Sequence, residues 1–113
     1  MHELSLAESL IDLIEQASRR ERFLRVHRVH VELGQLSCVM PDALEMAFVA
    51  AAKGGCAEGA ELVFAIVAGR GACRRCGAEA ALSSRIELCP QCGAGPMRVV
   101  DGEQMRVTDL DVQ

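Results

Sequence analysis

The N-terminal segment shows the hydrophobic periodicity of an amphipathic helix. Apolar residues recur at intervals of three and four, at Leu6, Leu10, Leu13 and Ala17, with Ile11 and Ile14 widening the stripe. Ser5 and Glu8 have the spacing of a capping box, in which each side chain satisfies a free backbone N–H of the first turn. The pattern therefore predicts a helix that begins at Ser5, and Met1, His2 and Glu3 are predicted to form a short free leader.

Strict alternation follows this helix. Val29, Val31 and Leu33 are predicted on one face of a strand, and Arg28, His30 and Glu32 on the other, with Gly34 ending the alternation. Pro41 suits the first turn of a second helix, which carries Leu44, Ala47 and Phe48 inward and ends at Gly54 and Gly55. These segments extend the order to helix, strand, helix.

Two further segments have the character of strands. Residues 61–67 form a short, nearly continuous apolar run, which indicates a central strand. Residues 104–112 alternate with a slip near Thr108 and Asp109, which predicts a third strand with a bulge. The predicted fold is α+β, a small three-stranded sheet covered by two helices with an inserted zinc-ribbon-like module. The predicted domains are residues 1–69 with 99–113 and an inserted cysteine-containing module, residues 70–98.

Composition and charge exclude several classes of protein. Half of the 113 residues are apolar, which suffices for a core, although aromatic residues are limited to three Phe. A net charge of −4 argues against a general nucleic-acid binder. No apolar run approaches the roughly 20 residues that cross a bilayer, and no signal-peptide pattern is visible. We therefore expect a cytoplasmic protein without nucleic-acid or membrane partners.

Four of the six cysteines form two CxxCG units, whose thiols are Cys73, Cys76, Cys89 and Cys92. Two intervening residues let both thiolates of a pair face one ion, and the following glycine lets the backbone curl close to sulfur. Twelve residues separate the pairs, enough for a hairpin. Four thiolates around Zn²⁺ form a closed tetrahedron, which indicates a structural site. Iron in a rubredoxin-like site would use the same ligands, and a redox pair is the third alternative.

The N-terminus is a second candidate metal site. The imidazole of His2 lies within chelate reach of the terminal amine, and amide nitrogens between them can bind if a metal displaces their protons. Nitrogen ligands in a plane suit Ni²⁺ or Cu²⁺ better than Zn²⁺. A histidine at position two is nevertheless most often a solvated residue, so the spacing alone is a weak signal.

The remaining polar and thiol residues do not form a catalytic pattern. His27, predicted on the apolar face of its strand, and His30 are interpreted as packed or solvated rather than as ligands. No nucleophile–base arrangement and no phosphate-binding glycine loop is visible, so we expect a protein that is not an enzyme.

The sequence resembles the HypA/HybF family of hydrogenase nickel-incorporation proteins. The likeness begins with residues 1–7 (MHELSLA) and continues through residues 34–37 (GQLS). It then includes Val39, Pro41, Leu44 and Phe48 and ends with both CxxCG units. Cys38 and Cys56 depart from it as extra thiols, and we interpret each as a small buried hydrophobic residue.

The resemblance implies a nickel metallochaperone, with residues 1–69 and 99–113 as its nickel-binding domain and residues 70–98 as its zinc-binding module. It implies Ni²⁺ binding by the His2 side chain, with the backbone nitrogens of His2 and Glu3 and the amine of Met1 as further ligands, and zinc on the four paired cysteines. It also implies a partner GTPase, HypB, and delivery of nickel to the large-subunit precursor of [NiFe] hydrogenase, with urease maturation proteins as further partners in some bacteria. The chain would act as a monomer or a homodimer. The alternative is a zinc-ribbon binding module or scaffold without nickel transfer.

Overall fold

The structure, a computed structural model, describes residues 2–113. Its first helix, α1 (His2–Glu21), begins three residues earlier than predicted. His2 and Glu3 therefore lie in the first turn, and the prediction that they belong to a free leader is wrong; Met1 lies outside the described residues. Without a proline or glycine to interrupt it, the helix extends back through Leu4 into the leader. It ends where Arg22 adopts a positive φ of 61° and its N–H bonds the Ser18 carbonyl at 2.8 Å.

The second helix and the principal sheet follow the predicted order. Strand β1 (Val26–Gly34) buries Val29, Val31 and Leu33 as the alternation predicted. Helix α2 (Pro41–Ala52) buries Leu44 and Phe48, and β2 is Glu61–Val67. In the three-stranded sheet the order is β2–β1–β6, where β6 denotes Met105–Val112.

Strand β2 is an edge strand, and the prediction that it is central is wrong. Its limits are those of the apolar run, but only Leu62 is buried, and Ala65 and Ile66 are exposed. Strand β1 occupies the centre instead. A continuous apolar run indicates a strand that is buried on both faces, but β2 pairs only with β1 and therefore lies at the edge of the sheet. The bulge near Thr108 stays a prediction.

A second sheet, which the sequence did not predict, contains the cysteine module. Strands β3 (Arg70–Cys73), β4 (Glu79–Ala81) and β5 (Met97–Asp101) pair antiparallel in the order β4–β3–β5. A small cluster of buried residues supports this sheet: Leu36, Cys73, Leu82, Cys89 and Met97. Such short strands carry too few alternating positions for periodicity to reveal them.

The chain forms two compact units. Unit 1 comprises residues 2–31, 39–64 and 107–113, and unit 2 comprises residues 32–38 and 65–106. The boundary between them falls within β1, β2 and β6. The predicted division into a nickel-binding domain and a zinc-binding module is a functional one and stays a prediction. Among residues 2–113, no helix combines the length and the apolar character that a membrane span requires.

The GQLS segment within unit 2 is a tightly packed turn. Gly34 passes so close to Gly102 that a Cβ at position 34 would lie 2.0 Å from the Gly102 carbonyl oxygen. The side-chain oxygen of Gln35 accepts a hydrogen bond from the N–H of Gly69 at 2.9 Å, and the Leu36 N–H bonds the Gly102 carbonyl at 2.7 Å. Only glycine permits the first approach, and glutamine supplies an acceptor for a backbone group that would otherwise lack one.

Candidate metal centre

The four paired cysteines come together in unit 2. Their Sγ atoms all lie within 4.8 Å of one another, with 3.8 Å between Cys73 and Cys92 and 3.6 Å between Cys76 and Cys89. All four are free thiols. A tetrahedron with metal–sulfur bonds of about 2.3 Å has sulfur–sulfur edges of roughly 3.8 Å, so the sulfur atoms fit one tetrahedral ion.

Each CxxCG unit folds as the same turn. Gly77 donates its N–H to the Cys73 carbonyl at 3.0 Å, and Gly93 donates to the Cys89 carbonyl at 2.8 Å. Both glycines have a positive φ, 79° and 80°, which a side chain would strain. The positive φ explains why a glycine follows each pair, whereas the predicted close approach of the backbone to sulfur stays a prediction at these two positions.

Backbone N–H groups prepare two of the thiols for ionisation. The N–H groups of Cys76 and Arg75 donate to Cys73 Sγ, each at 3.3 Å, and lower the pKa of that thiol to about 6. The N–H groups of Ala94 and Gly95 likewise lower the pKa of Cys92. Since a hydrogen bond to sulfur favours the charged form, the protein supplies thiolate ligands near neutral pH.

The pKa of Cys76 moves in the opposite direction, to about 11. The N–H of Ala78 lowers it, but the hydrogen bonds that Cys76 makes with the Cys73 and Cys89 sulfurs favour the protonated form. Thiols this close cannot all ionise without a cation among them. A divalent ion would remove this repulsion, which is why metal affinity at such a site rises as protons leave.

Gly95 is a residue of the metal centre that the sequence reasoning missed. Its N–H donates to Cys92 Sγ at 3.3 Å, and its carbonyl accepts from the Cys89 N–H at 2.9 Å. A Cβ at this position would lie 2.2 Å from Cys73 Sγ. The sequence did show a glycine two residues after Gly93 of the second CxxCG unit, but spacing alone does not reveal a close approach to sulfur.

The other predicted metal site lies at the start of α1. His2 is exposed and Glu3 is half-buried. Their backbone N–H groups belong to the first turn, where no helical carbonyl lies four residues earlier to accept them. The Met1 part of this predicted site lies outside the described residues.

The two strand histidines differ in exposure, and neither is buried. His27 is exposed, so its predicted place on the apolar face is wrong; Nε2 lies 2.8 Å from Oε1 of Gln113. Buried and exposed side chains do not alternate strictly at the start of β1: Val26 is buried, and both His27 and Arg28 are exposed. His30 is half-buried and lies 3.1 Å from Oδ2 of Asp111.

The two unpaired cysteines do not behave as predicted. Cys38 is exposed with a positive φ of 65°, so its interpretation as a buried hydrophobic residue is wrong. Cys56 is half-buried, 3.4 Å from Oε2 of Glu15, and burial raises the pKa of its thiol.

The fold and the site together define a class, a small α+β protein in which a β-sheet module carries a four-cysteine metal-binding group. The family model described as hydrogenase/urease nickel incorporation, metallochaperone, HypA matches residues 1–112. This chain belongs to the HypA family.

Curated relatives match along the whole chain. Proteins named hydrogenase maturation factor HypA are 42% identical in Geobacter metallireducens and 38% identical in Acidithiobacillus ferrooxidans, with 100% of both chains covered in each case. The predicted resemblance is thereby confirmed.

Two solved structures share the fold. A solution structure of HypA protein has a TM-score of 0.72 at 24% identity and covers 100% of this chain and 97% of that one. The solution structure of the Ni metallochaperone HypA from Helicobacter pylori has a TM-score of 0.68 at 20% identity, covering 97% and 96%. The α+β fold with its cysteine module is confirmed by both likenesses.

Proposed function

We propose that this chain is a nickel metallochaperone for hydrogenase maturation. The observation that carries the proposal is the match of residues 1–112 to the nickel-incorporation family. In this proposal the chain binds Ni²⁺ at its N-terminus and delivers it, with a HypB-type GTPase, to the large-subunit precursor of [NiFe] hydrogenase in the cytoplasm. In this role the chain is a carrier and not an enzyme, and none of its residues is assigned a catalytic role.

Zinc is the ion we assign to Cys73, Cys76, Cys89 and Cys92. The sulfur–sulfur distances of 3.6 and 3.8 Å support a tetrahedral ion, and four thiolates leave no position for water or substrate. The role of the ion is therefore structural. Purified protein should contain one zinc per chain and remain colourless, whereas an iron–thiolate site would absorb visible light and would replace this assignment.

Nickel is assigned to the His2 imidazole, with the amide nitrogens of His2 and Glu3 and the amine of Met1 completing the ligand set. The exposure of His2 and the lack of helical acceptors for the first-turn amides support this assignment. The positive end of the α1 dipole opposes a bound cation by about 0.3–1 kcal/mol. This opposition weakens the site, and weak binding suits an ion that must be passed on.

A titration of Ni²⁺ into untagged, zinc-loaded protein tests the nickel site. His2→Ala should abolish nickel binding in calorimetry, leave the zinc content unchanged and preserve the far-UV circular dichroism. His27→Ala is the matched control, because it removes another exposed histidine of unit 1. Nickel affinity that survives His2→Ala would sink the assignment.

The binding mode also predicts a change in the helix. Amide nitrogens of His2 and Glu3 can reach a common ion in one plane only if these residues leave helical geometry. Nickel should therefore shift the amide resonances of residues 2–5 and lower their helical content, while residues in the middle of α1 stay unchanged. Nickel binding without such shifts would restrict the ligands to side chains.

Delivery requires a separate test. Cells that carry His2→Ala should lose hydrogenase activity at limiting nickel and recover it when nickel is added in excess. Full activity at limiting nickel would favour the alternative of a zinc-stabilised scaffold without nickel transfer.

A further inference from the structure

The two helices of unit 1 carry negative charge without the usual positive partners. Residues 2–17 of α1 and the whole of α2 contain no Lys or Arg. They contain six carboxylates, on Glu3, Glu8, Asp12, Glu15, Asp42 and Glu45. Surface helices ordinarily gain stability from Glu–Lys pairs four residues apart, and like charges at that spacing weaken them. Glu8 and Asp12 form such a like-charged pair on α1.

Two surface depressions on these helices are lined by carboxylates and apolar groups. One has a volume of about 470 Å³ and is lined by Glu8, Ile11, Asp12 and Ala51, where α1 meets α2. The other has a volume of about 230 Å³ and lies on the opposite flank of α2, lined by Glu45, Phe48, Val49, Ala60, Glu61 and Leu62. Within residues 2–113, no cationic side chain lines either depression.

An apolar ridge separates the two depressions. Met46 and Val49 lie one turn apart on α2, with 76% and 61% of their surfaces exposed. Ala50 is exposed beside them. Apolar side chains at this spacing on an exposed helix bury their surface against a partner helix. A flexible methionine at such a position adapts to the side chains that cover it.

We propose that this surface is the docking site for a cationic amphipathic helix of a partner protein. We call it the acidic helical face and define it by Glu8, Asp12, Glu45, Met46 and Val49. The partner's apolar side chains would cover Met46 and Val49, and its Lys or Arg residues would face the carboxylates of the two depressions. This pairing supplies the positive charges that residues 2–17 of α1 and the whole of α2 lack.

Charge complementarity favours this occupant over other helices. Glu8, Asp12 and Glu45 make no ion pair within residues 2–113, whereas Glu61 already lies 3.6 Å from the Arg28 guanidinium. An acidic or neutral helix would bury three carboxylates without a counter-ion. A second copy of this chain would place the same carboxylates opposite one another across a two-fold axis.

The inference is tested with a designed helix rather than with an unidentified partner. The probe is a fluorescent 18-residue peptide of Leu and Lys with helical periodicity, titrated into the full-length, zinc-loaded protein at 50 mM salt. Two control peptides are a scrambled sequence of the same composition and the same helix with Glu in place of Lys. Amide shift mapping should locate the Leu/Lys peptide on α2 and on the flank of α1 around Glu8 and Asp12. The control peptides should bind at least tenfold more weakly.

Paired variants separate this face from general attraction to an acidic protein. Glu8→Gln with Asp12→Asn should weaken binding about fivefold, and raising the salt should remove the difference. Met46→Gln with Val49→Gln should weaken it about tenfold at similar helix propensity.

The matched control is Glu21→Gln with Asp109→Asn. It removes the same two charges from another depression of unit 1, one that also contains Arg20. Binding should change less than twofold.

Three outcomes would overturn the inference. They are equal weakening by the two charge-neutralising doubles, equal binding of the scrambled peptide, or shifts that map away from α1 and α2. A concentration-dependent dimer that Met46→Gln with Val49→Gln abolishes would instead assign the face to a second copy of this chain. Because none of these measurements uses nickel, failure of the proposed nickel site would leave the result interpretable.

Discussion

Among residues 2–113, unit 1 buries twelve hydrophobic residues, and Phe48, Ile14 and Leu44 are among its largest fully buried side chains. Unit 2 buries six, and two of these are the cysteines Cys73 and Cys89. The charges differ as well: unit 1 has eleven Asp and Glu against six Lys and Arg, and unit 2 has five against six. Unit 1 thus has a conventional apolar core beneath an acidic surface, whereas the small core of unit 2 includes two cysteines of the candidate metal centre. Small domains with so little apolar core depend on a metal or a disulfide for stability.

The largest expected effect is the loss of the metal centre. Cys89→Ser replaces a buried ligand, and structural zinc contributes on the order of 10 kcal/mol to small zinc domains. We expect no bound zinc and loss of amide protection in β3, β4 and β5, with protection in α1 and α2 largely retained. Hydrogen exchange with metal analysis measures both. Cys56→Ser, a half-buried thiol of unit 1, is the control and should keep its zinc. Retained amide protection in β3 without bound zinc would contradict the claim that unit 2 depends on a metal for its stability.

Phe48→Ala makes the converse change in unit 1. Phe48 is 1% exposed, and removal of a buried phenyl ring costs about 3–5 kcal/mol. We expect the denaturation midpoint, as monitored by signals from α2, to drop by a large amount. One zinc per chain should still be bound under native conditions. Val49→Ala, at the exposed neighbouring position, should have little effect. If Phe48→Ala released zinc at temperatures where α1 stays folded, the stability of unit 2 would depend on the apolar core of unit 1, contrary to the difference proposed between the two units.

The same difference explains how well the sequence predicted each unit. In unit 1, the alternation at Val29 and Val31 predicted the buried face of β1, and Pro41 predicted the start of α2. Long periodic segments carry such signals because many positions repeat the same burial. The start of α1 was mispredicted since Ser5 has a capping spacing, but the helix extends to His2 without using it.

In unit 2, chemistry was predictable and backbone structure was not. The CxxCG spacing predicted that the four cysteines would converge on one metal site, and their sulfur atoms do lie within 4.8 Å of one another. The three-residue strand β4 gives no periodicity to read, and the edge position of β2 depends on pairing with β1. Gly95 was missed for the same reason, because its importance lies in a distance to sulfur that no sequence pattern expresses.

Gly95→Ala should weaken the metal centre without removing a ligand. Its Cβ would lie 2.2 Å from Cys73 Sγ, so the turn must shift and the hydrogen bond from its N–H to Cys92 must lengthen. Changes in groups that orient metal ligands typically cost 10–100-fold in affinity. Competition with a chromogenic chelator measures this loss. Gly59→Ala is the control, since Gly59 lies in unit 1 and nothing lies within 4 Å of the added Cβ, and the zinc affinity of this variant should be unchanged. Equal affinities would show that the turn tolerates a side chain.

The smallest expected effect concerns the ion pairs on the sheet of unit 1. His30 and then Arg28 hold the pKa of Asp111 below its usual range, at distances of 3.1 and 3.0 Å from Oδ2. A carboxyl group whose pKa is lowered by folding stabilises the folded state above its unfolded pKa of about 3.9, and this contribution is lost as the pH falls through the lower folded value.

Asp111→Asn should therefore reduce the stability of unit 1 slightly at pH 7, and the difference from the parent protein should begin to shrink as the pH falls below about 4 and vanish below the lowered pKa of the folded state. Exchange of β6 amides in both proteins at each pH measures the difference, and any loss of zinc in acid is common to both. Asp109→Asn, at a carboxylate that makes no ion pair within residues 2–113, should show no such pH-dependent difference. A deficit in Asp111→Asn that persists unchanged at pH 3 would mean that the residue acts through packing, because a protonated carboxyl group no longer offers the charge that His30 and Arg28 bind.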